Sequence, residues 1–303
     1  SPAFSQRKNF MTKKKCGKIA IIGQPNVGKS TLLNFILGQK LSITSRKAQT
    51  TRNQILGIHS EKDIQFIFVD TPGYQQKFLN QMNKRMNKSV TSVFHDVDVV
   101  IFMSEPKTLN EIEIELVKMI PNDTPIINLI NKIDRVKNKN KILELIDINS
   151  ELQIFKKIIP ASIKLKDNQK IILQEIAEFL PEQDFIFDVD DITDKNERFL
   201  AAEIIREKIF RLTGDELPYS IAVEIENFEH KDNLRRIFAT ILVDKDSQKP
   251  VVIGKDGEKL KRISTESRRD MEKLFQSKIW LEIWVKVQKN WFDDARALKS
   301  LGI

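Results

Sequence analysis

An eight-residue stretch near the start of the chain has the spacing of a phosphate-binding loop. It is Gly23-Gln24-Pro25-Asn26-Val27-Gly28-Lys29-Ser30, followed by Thr31. Glycines let backbone N–H groups turn toward phosphate oxygens, and a following helix presents its positive end to them. Lys29 can neutralise β- and γ-phosphates, and the Ser30 hydroxyl can ligate Mg²⁺. An accidental glycine-rich turn is the competing interpretation, but an apolar run before the loop and a helical pattern after it favour a nucleotide site.

A second short motif, Asp70-Thr71-Pro72-Gly73, follows another apolar run. Alone, such a sequence is typical of a plain turn. Downstream of a phosphate loop it predicts a magnesium and γ-phosphate contact. We expect Asp70 to hold the Mg²⁺ shell through water and the Gly73 N–H to contact the γ-phosphate.

A third motif, Asn131-Lys132-Ile133-Asp134, predicts which base is bound. Guanine offers N1–H and N2–H₂ donors side by side, and one carboxylate accepts both. Adenine presents an acceptor at N1, which would repel Asp134. We expect the Lys132 stem to cover the purine and Asn131 to tie this loop to the phosphate loop. As the third motif in order, it favours GTP over ATP.

The elements that position these motifs alternate between strand and helix. Strands are predicted over residues 18–22, 64–69, 97–103, 125–130 and 158–160, and helices over residues 30–37, 80–93, 110–119 and 171–180. This alternation is typical of a parallel α/β sheet, whose ligand site lies at the carboxyl ends of the strands.

Beyond an acidic stretch at residues 184–194, expected to be a linker, the pattern changes to α+β. An amphipathic helix is predicted over residues 197–212, ending at Gly214, and a basic helix over residues 258–275. Residues 220–228 and 236–243 alternate as two antiparallel strands, and residues 279–287 as a third strand.

A glycine loop precedes the basic helix and predicts a nucleic-acid contact. The loop is Gly254-Lys255-Asp256-Gly257, and Lys259, Arg262 and Arg269 recur on the helix at near-helical spacing. A solvated helix face is the competing account of these charges. Ile253 and Leu260 would form an apolar floor for bases, although core packing is the commoner role of such residues.

The last predicted strand has two unlike faces. Leu281, Ile283, Val285 and Val287 form an aliphatic face that must be core. Trp280 and Trp284 lie on the other face. They could stack on bases, but packing against a neighbouring helix is the favoured expectation.

Composition excludes several classes of protein. The 303 residues include one cysteine, Cys16, and three histidines, so a disulfide framework, a structural zinc site and a Cys/His nucleophile pair lack their parts. No apolar run is long enough to span a bilayer, and the basic, polar start lacks the apolar centre of a secretory signal. Met11 is a candidate start, with residues 1–10 either native or an added leader.

The charge of the chain suggests a polyanionic partner. The net charge is +8, from 50 basic and 42 acidic residues. The first 60 residues hold eleven Lys or Arg and no Asp or Glu, and residues 249–289 hold 11 basic against 6 acidic residues. Bulk solubility is the alternative explanation for both basic regions.

The three nucleotide motifs together resemble those of translation-factor-type GTPases. The stretch Ser45-Arg46-Lys47-Ala48-Gln49-Thr50-Thr51-Arg52 and the C-terminal run from Val252 resemble the Era family of ribosome-assembly GTPases. The glycine loop and its setting resemble a KH domain of the bacterial topology, whose loop clamps single-stranded RNA. The resemblance implies a P-loop GTPase domain (residues 16–183), a linker (184–196) and a KH domain (197–290). We expect the tail (291–303) to fold back on the KH domain.

The same resemblance implies further site residues. Thr51 is the switch threonine that completes the Mg²⁺ shell, with Thr50 as the alternative. Pro160-Ala161-Ser162-Ile163 would be the last guanine loop, where Ser162 contacts the base and Ile163 stands where the family usually has alanine.

Tyr74 follows Gly73, where a water-orienting glutamine would be placed. The resemblance therefore implies slow intrinsic hydrolysis, with Lys29, Thr51, Gly73 and Asn26 as candidate catalytic groups. Some relatives use K⁺ held by an asparagine placed as Asn26 is.

The implied partners are the 3′ end of 16S ribosomal RNA and the 30S subunit, without DNA, for a cytoplasmic monomer with a peripheral inner-membrane fraction. Glycine loop residues Ile253 to Gly257, with Lys259 and Arg262, would contact the RNA. Two alternatives stay open: a guanine-nucleotide-controlled adaptor at the membrane surface, and an RNA chaperone that binds GTP with little turnover.

Overall fold

The computed structural model describes residues 13–44, 51–74, 81–163, 165, 167–214, 217 and 221–301. Met11 and the switch residues up to Thr50 lie outside the described residues. The chain forms an α/β unit followed by an α+β unit, each with its own sheet.

The first sheet is mostly parallel, as predicted. Its strands are β1 (Lys15–Gly23), β2 (Ile55–Glu61), β3 (Ile64–Asp70), β4 (Val99–Ser104), β5 (Ile126–Ile130) and β6 (Lys157–Pro160). They lie in the order β2-β3-β1-β4-β5-β6, with only β2 antiparallel to its neighbour. The central strands are buried on both faces, which accounts for their continuous apolar runs. The edge strand β2 was not predicted, because it forms a hairpin with β3 and alternates only weakly.

Helices cover both faces of this sheet. They are α1 (Lys29–Leu37), α2 (Gln81–Val93), α3 (Glu111–Lys118), α4 (Lys139–Glu151) and α5 (Asp167–Ala177). Leu33 of α1 and Ile172 of α5 belong to one apolar cluster, whereas Val90 of α2 and Leu116 of α3 belong to another. The motifs therefore sit where strands end and helices begin, between two packed layers.

The second unit contains α6 (Glu197–Thr213), β7 (Ile221–Lys231), β8 (Leu234–Val243), α7 (Lys249–Ile253), α8 (Glu258–Phe275), β9 (Lys278–Val287) and α9 (Ala295–Ser300). Strand β8 lies in the centre, antiparallel to β7 and parallel to β9. The aliphatic residues of β9 pack on the apolar core with α6 and α8, as predicted.

The prediction that the two tryptophans of β9 pack against a helix was wrong. Trp280 is 39% exposed and Trp284 61% exposed. The two long helices of this unit, α6 and α8, pack on the opposite face of the sheet, which leaves the tryptophans exposed.

The prediction of an amphipathic α6 was also wrong. Four of its charged residues, Glu203, Arg206, Glu207 and Lys208, are buried, although Arg198 and Arg211 are exposed. The helix lies between the two units, so its polar face contacts protein instead of water. Ion pairs, and not contact with water, compensate the burial of these charged side chains.

The acidic stretch predicted to be a linker lies along the first sheet. The Gln65 side chain accepts from the N–H groups of Ile186 and Phe187 at 3.0 Å each, and the Ile58 N–H donates to Ile192 O at 2.9 Å. Hydrogen bonds therefore fix this segment to β2 and β3. The domain limits themselves stay a prediction.

The tail beyond β9 joins the two units. Trp291 is fully buried and clusters with Leu298 of α9, with Ala222 and Leu242 of the second sheet, and with Met82 and Met86 of α2. The helix that follows the second nucleotide motif thus contacts the tail directly. No helix in the described ranges is long and apolar enough to cross a bilayer.

Candidate nucleotide site and nucleic-acid interface

The phosphate loop connects β1 to α1, as its spacing predicts. Gly23, Asn26 and Gly28 all have positive φ, at 151°, 67° and 110°. A Cβ on Gly23 would lie 2.5 Å from the carbonyl oxygen of Met103, so glycine is required there by space as well as by conformation. Val27 is buried and Thr31 is exposed, and the Gln24 side chain donates to Asn110 at 3.1 Å.

Lys29 is buried beneath this loop. Its Nζ donates to the carbonyls of Gly23 at 3.2 Å and Gln24 at 3.0 Å. Burial lowers the pKa of Lys29 to about 8, against an opposing effect of the Asp70 carboxylate. The ammonium is thus held at the centre of the loop, where phosphate oxygens would approach it.

The three predicted magnesium residues converge on one point. The Ser30 hydroxyl lies 2.8 Å from the Thr51 hydroxyl and donates to Asp70 Oδ2 at 2.7 Å. Asp70 is fully buried, and burial raises its pKa although the Ser42 and Ser30 hydroxyls and Lys29 oppose this. Its second oxygen, Oδ1, is buried without a hydrogen-bond partner. An unpartnered buried carboxylate oxygen beside two hydroxyls fits a hydrated Mg²⁺, which is bound through few protein oxygens and several waters.

The rest of the second motif lies beside the phosphate loop. The Thr71 hydroxyl is buried and donates to Ile21 O at 2.8 Å, so it joins β3 to β1. Gly73 approaches Pro25 so closely that a Cβ would meet its ring and backbone at 3.0–3.1 Å. Pro72 is buried, and Tyr74 packs half-buried on the α2–α3 apolar cluster.

The third motif follows β5 and contacts the phosphate loop, as predicted for Asn131. The Asn131 amide donates to Val27 O at 2.9 Å. Lys132, in the left-handed conformation, donates to Asn26 O at 2.7 Å and to the Glu105 carboxylate. These contacts position the loop that would hold the purine.

Asp134 is exposed next to this loop, and its Oδ1 accepts from the Ser162 hydroxyl at 2.9 Å. Ser162 is itself buried and lies just beyond β6. Ile163 is nearly buried, and its N–H donates to Asn131 at 3.4 Å. The segment after β6 therefore orients the carboxylate that is expected to contact the base, and Ile163 fits without displacing it.

Two residues at this site were not predicted from the sequence. Ser42 is fully buried and its hydroxyl donates to Asp70 Oδ2 at 2.7 Å, while the Asn34 side chain accepts from the Ser42 N–H at 2.8 Å. Glu105 follows β4 and pairs with Lys132. Neither belongs to a motif; a polar residue directly after a strand was the signal available for Glu105.

The glycine loop of the second unit lies between α7 and α8. Gly254 and Gly257 have φ of 76° and 75°. A Cβ on Gly254 would lie 2.6 Å from Lys259 Cβ. Lys255, Asp256 and Arg262 are exposed, whereas Ile253 and Lys259 are half-buried. The arrangement presents backbone and positive charge on the helix side of the unit, as a phosphodiester contact needs.

Two family descriptions match the chain, in the order that the motifs predict. Residues 18–132 match "50S ribosome-binding GTPase", and residues 216–292 match "KH domain". The chain is 47% identical over 291 residues to GTPase Era from Neisseria meningitidis serogroup A, covering 95% of each. It is 48% identical over 289 residues to GTPase Era from Chromobacterium violaceum, covering 95% of this chain and 97% of that protein.

The chain belongs to the Era family of GTPases. It is a GTPase whose P-loop domain, with a mostly parallel sheet, precedes a KH domain, which confirms the predicted fold class and enzyme class. An Era variant from Aquifex aeolicus bound to GDP and AlF₄⁻ has the same fold, with a TM-score of 0.90 and 37% identity over 95% of this chain and 99% of that chain. Era in complex with MgGDPNP and nucleotides 1506–1542 of 16S ribosomal RNA matches equally well, with the same TM-score, identity and coverage.

Proposed function

We propose that this chain hydrolyses GTP and uses the bound guanine nucleotide to control binding of its KH domain to the 3′ end of 16S ribosomal RNA during 30S assembly. The observation on which this rests is the convergence of Ser30, Thr51 and Asp70 within hydrogen-bond distance. Ser30, Thr51 and Asp70 would hold Mg²⁺, which supplies charge neutralisation at the phosphates. Lys29 would bind the β- and γ-phosphates.

The neighbouring residue supports a link from this site to the KH domain. Arg52 directly follows Thr51, is buried, and donates to Ile221 O at the start of β7 at 2.6 Å. Its guanidinium also lies 5.4 Å from the ring centroid of Trp291 in the tail. A change in the position of Thr51 would therefore move an arginine that is bonded to the KH domain.

The choice of RNA is supported by the related complex. Era bound to MgGDPNP and nucleotides 1506–1542 of 16S ribosomal RNA covers nearly the same length as this chain at 37% identity. Gly254, Lys255, Asp256 and Gly257, with Ile253, Lys259 and Arg262, are the proposed RNA contacts. We place the protein in the cytoplasm with the 30S subunit and without DNA. A monomeric state and a membrane-associated fraction stay predictions, and no contact among the described residues favours the membrane.

GTP hydrolysis without a water-orienting glutamine requires another group that stabilises the transition state. Tyr74 packs against an apolar cluster beside Gly73. We include K⁺ held partly by Asn26 as such a source, because Asn26 is exposed at the phosphate loop. Equal single-turnover rates in K⁺ and Na⁺, with no effect of Asn26→Ala, would remove K⁺ from the proposal.

The direct test of the RNA assignment is crosslinking of the GTP-loaded protein in cells, followed by sequencing of the bound RNA. We expect reads concentrated at the 3′ end of 16S ribosomal RNA, and their loss in Lys255→Asp. Recovery of mostly messenger or transfer RNA would overturn the assignment. Single-turnover hydrolysis with and without RNA separates an enzyme from a chaperone that binds GTP with little turnover.

A further inference from the structure

The KH sheet has an open outer face that the nucleotide and RNA sites do not use. Its inner face packs on α6 and α8. On the outer face, Ala222 and Leu242 at one end are covered by the tail residues Trp291 and Leu298 and by α2. Beyond that covered end the face is open, and the glycine loop lies on the opposite, helical side of the domain.

Aromatic rings line the open part. The ring centroids of Phe238 and Trp280 lie 5.3 Å apart. Trp284 lies four residues further along β9, on the same face of the sheet. Trp284 is 61% exposed and has no ring or cation contact with any described residue. A tryptophan fixed on a strand and this exposed is typical of an interaction surface.

A contact within the chain itself indicates which kind of group binds to these rings. Arg236 lies opposite Trp280 on β8, with its guanidinium 5.0 Å from the centroid of that ring. Opposite Trp284 the corresponding residue is Thr240, which brings no charge. Trp284 therefore occupies the same kind of position as Trp280, but no residue on β8 places a cation over its ring.

Carboxylates surround this second position. Register places Glu224 of β7 opposite Thr240, and Thr240 opposite Trp284, so the three lie in one row across the sheet. Glu226 accepts from the Thr240 hydroxyl, and Glu282 lies between the two tryptophans. Glu224 and Glu282 make no hydrogen bond or ion pair with the described residues.

Charge decides between RNA and protein as the occupant. In the rows next to Trp284 the outer face has the carboxylates Glu224, Glu226 and Glu282 against one basic residue, Lys286, whereas the basic residues Arg236, Lys231 and Lys278 lie in the rows of Trp280 and Leu234 toward the far end. The negative charge around Trp284 repels a phosphodiester backbone, whereas stacking surfaces for single-stranded nucleic acid are combined with positive charge. A guanidinium or ammonium group is attracted both by the carboxylates, through charge-assisted hydrogen bonds, and by the face of the tryptophan ring.

We propose that this carboxylate–tryptophan face, formed by Glu224, Glu226, Glu282 and Trp284, binds an arginine-rich segment of a partner protein. One guanidinium of the partner stacks on Trp284, as Arg236 does on Trp280, and donates to Glu282 or Glu224. The KH domain then holds RNA on its helical side and a basic protein on its sheet side.

The test measures binding of a fluorescein-labelled nonapeptide of alternating arginine and glycine to the full-length, GDP-loaded chain by anisotropy. A peptide of the same length with citrulline in place of arginine is the probe control. We expect Trp284→Ala and Glu282→Gln each to weaken the arginine peptide at least about fivefold. Trp284→Phe, which keeps a ring, should retain part of the affinity, and GDP affinity should stay unchanged in all three variants.

Asp191→Asn is the matched charge control, because it removes one carboxylate from the acidic stretch on the other domain. Equal weakening by Asp191→Asn and Glu282→Gln would show non-specific attraction and overturn the proposal, as would unchanged peptide affinity in Trp284→Ala. A loss of oligouridylate binding in Trp284→Ala, with peptide binding intact, would assign the face to RNA instead.

Discussion

Lys29 is the residue whose charge the structure makes most sensitive to pH. Burial lowers its pKa to about 8 without nucleotide, and bound phosphates would raise it, because they favour the ammonium form. Nucleotide binding above pH 8 must therefore take up a proton. We expect the dissociation constant of GDP to rise by up to about tenfold per pH unit above 8.

Calorimetry at pH 7.5 and pH 9.5, in two buffers of different ionisation enthalpy, checks this prediction. At pH 9.5 the heat of GDP binding should differ between the two buffers, because the proton that is taken up comes from the buffer. Buffer-independent heats and a flat affinity over this interval would show that Lys29 keeps an ordinary pKa.

Asp134 is predicted to determine the base. Asp134→Asn replaces two acceptors by one acceptor and one donor, which matches xanthine instead of guanine. We expect GTP affinity to fall by roughly ten- to a hundredfold and XTP affinity to rise, since a hydrogen bond to a charged group is worth about 1.5–3 kcal/mol. Competition against a fluorescent nucleotide measures both, and Asp123→Asn, far from the motifs, is the control. Unchanged GTP selectivity would contradict the assignment.

That the motif residues lie close together could be predicted, because each motif is contiguous and follows a strand; their roles toward the nucleotide stay predictions. Ser30, Asp70 and Asn131 are brought together by the parallel sheet, which places the carboxyl ends of the strands side by side. Ser42 and Glu105 could not be predicted from a motif, because neither belongs to one, and their contacts with Asp70 and Lys132 depend on how the loops after α1 and β4 close.

Among the elements, α6 contains a buried charge, Glu207, at the contact between the two units. Glu207 is fully buried and accepts from the Thr44 N–H at 2.9 Å, with Lys40 and Arg211 as ion-pair partners. Glu207→Ala would leave these cations without their buried partner. We expect it to cost about 3–5 kcal/mol in the free energy of unfolding.

Urea denaturation measures this cost. Glu266→Ala, which breaks an exposed pair with Arg262 at 2.8 Å, is the control and should cost less than about 1 kcal/mol. Similar costs in both variants would show that the α6 cluster contributes no more than a surface ion pair.

The glycine loop and the start of α8 are expected to supply the electrostatic part of RNA binding. Replacing Lys255 and Lys259 by glutamine removes two positive charges there. The slope of the logarithm of the RNA association constant against that of salt concentration should become less steep by about 1.4, since each phosphate contact with a single strand contributes about 0.7. Lys273→Gln in the last turn of α8, combined with Lys278→Gln at the start of β9, is the control, and an equal change there would contradict the assignment.

Elements with strong periodicity were predictable, whereas those set by the partner domain were not. The helix over residues 258–275 agrees with α8, and apart from β2 the strands of both sheets lie where alternation and apolar runs predicted them. The burial of α6 and the exposure of Trp284 differ from expectation, because both depend on which surfaces the two domains cover. Hydrophobic patterning within one segment does not contain that information.

At the scale of the whole molecule, Arg52 is expected to transmit the nucleotide state. It connects the Thr51 segment to β7 and to Trp291, which also packs near α2. Arg52→Ala should leave GTP affinity within about twofold and remove most of the nucleotide dependence of RNA binding, because the KH domain would lose its bond to the switch. Arg198→Ala is the matched control, since Arg198 also donates to backbone carbonyls of β7, at Ile225 and Glu226, but from within the KH domain.

Control of the KH domain by the nucleotide is tested most directly by an RNA affinity. The full-length chain is titrated, with GDPNP and with GDP, against an oligoribonucleotide that has the sequence of the 16S ribosomal RNA 3′ end. We expect binding with GDPNP to be at least about tenfold tighter, a coupling free energy of about 1.4 kcal/mol. In Arg52→Ala the two affinities should converge. Equal affinities with GDPNP and GDP in the unaltered chain would contradict control of the KH domain by the nucleotide.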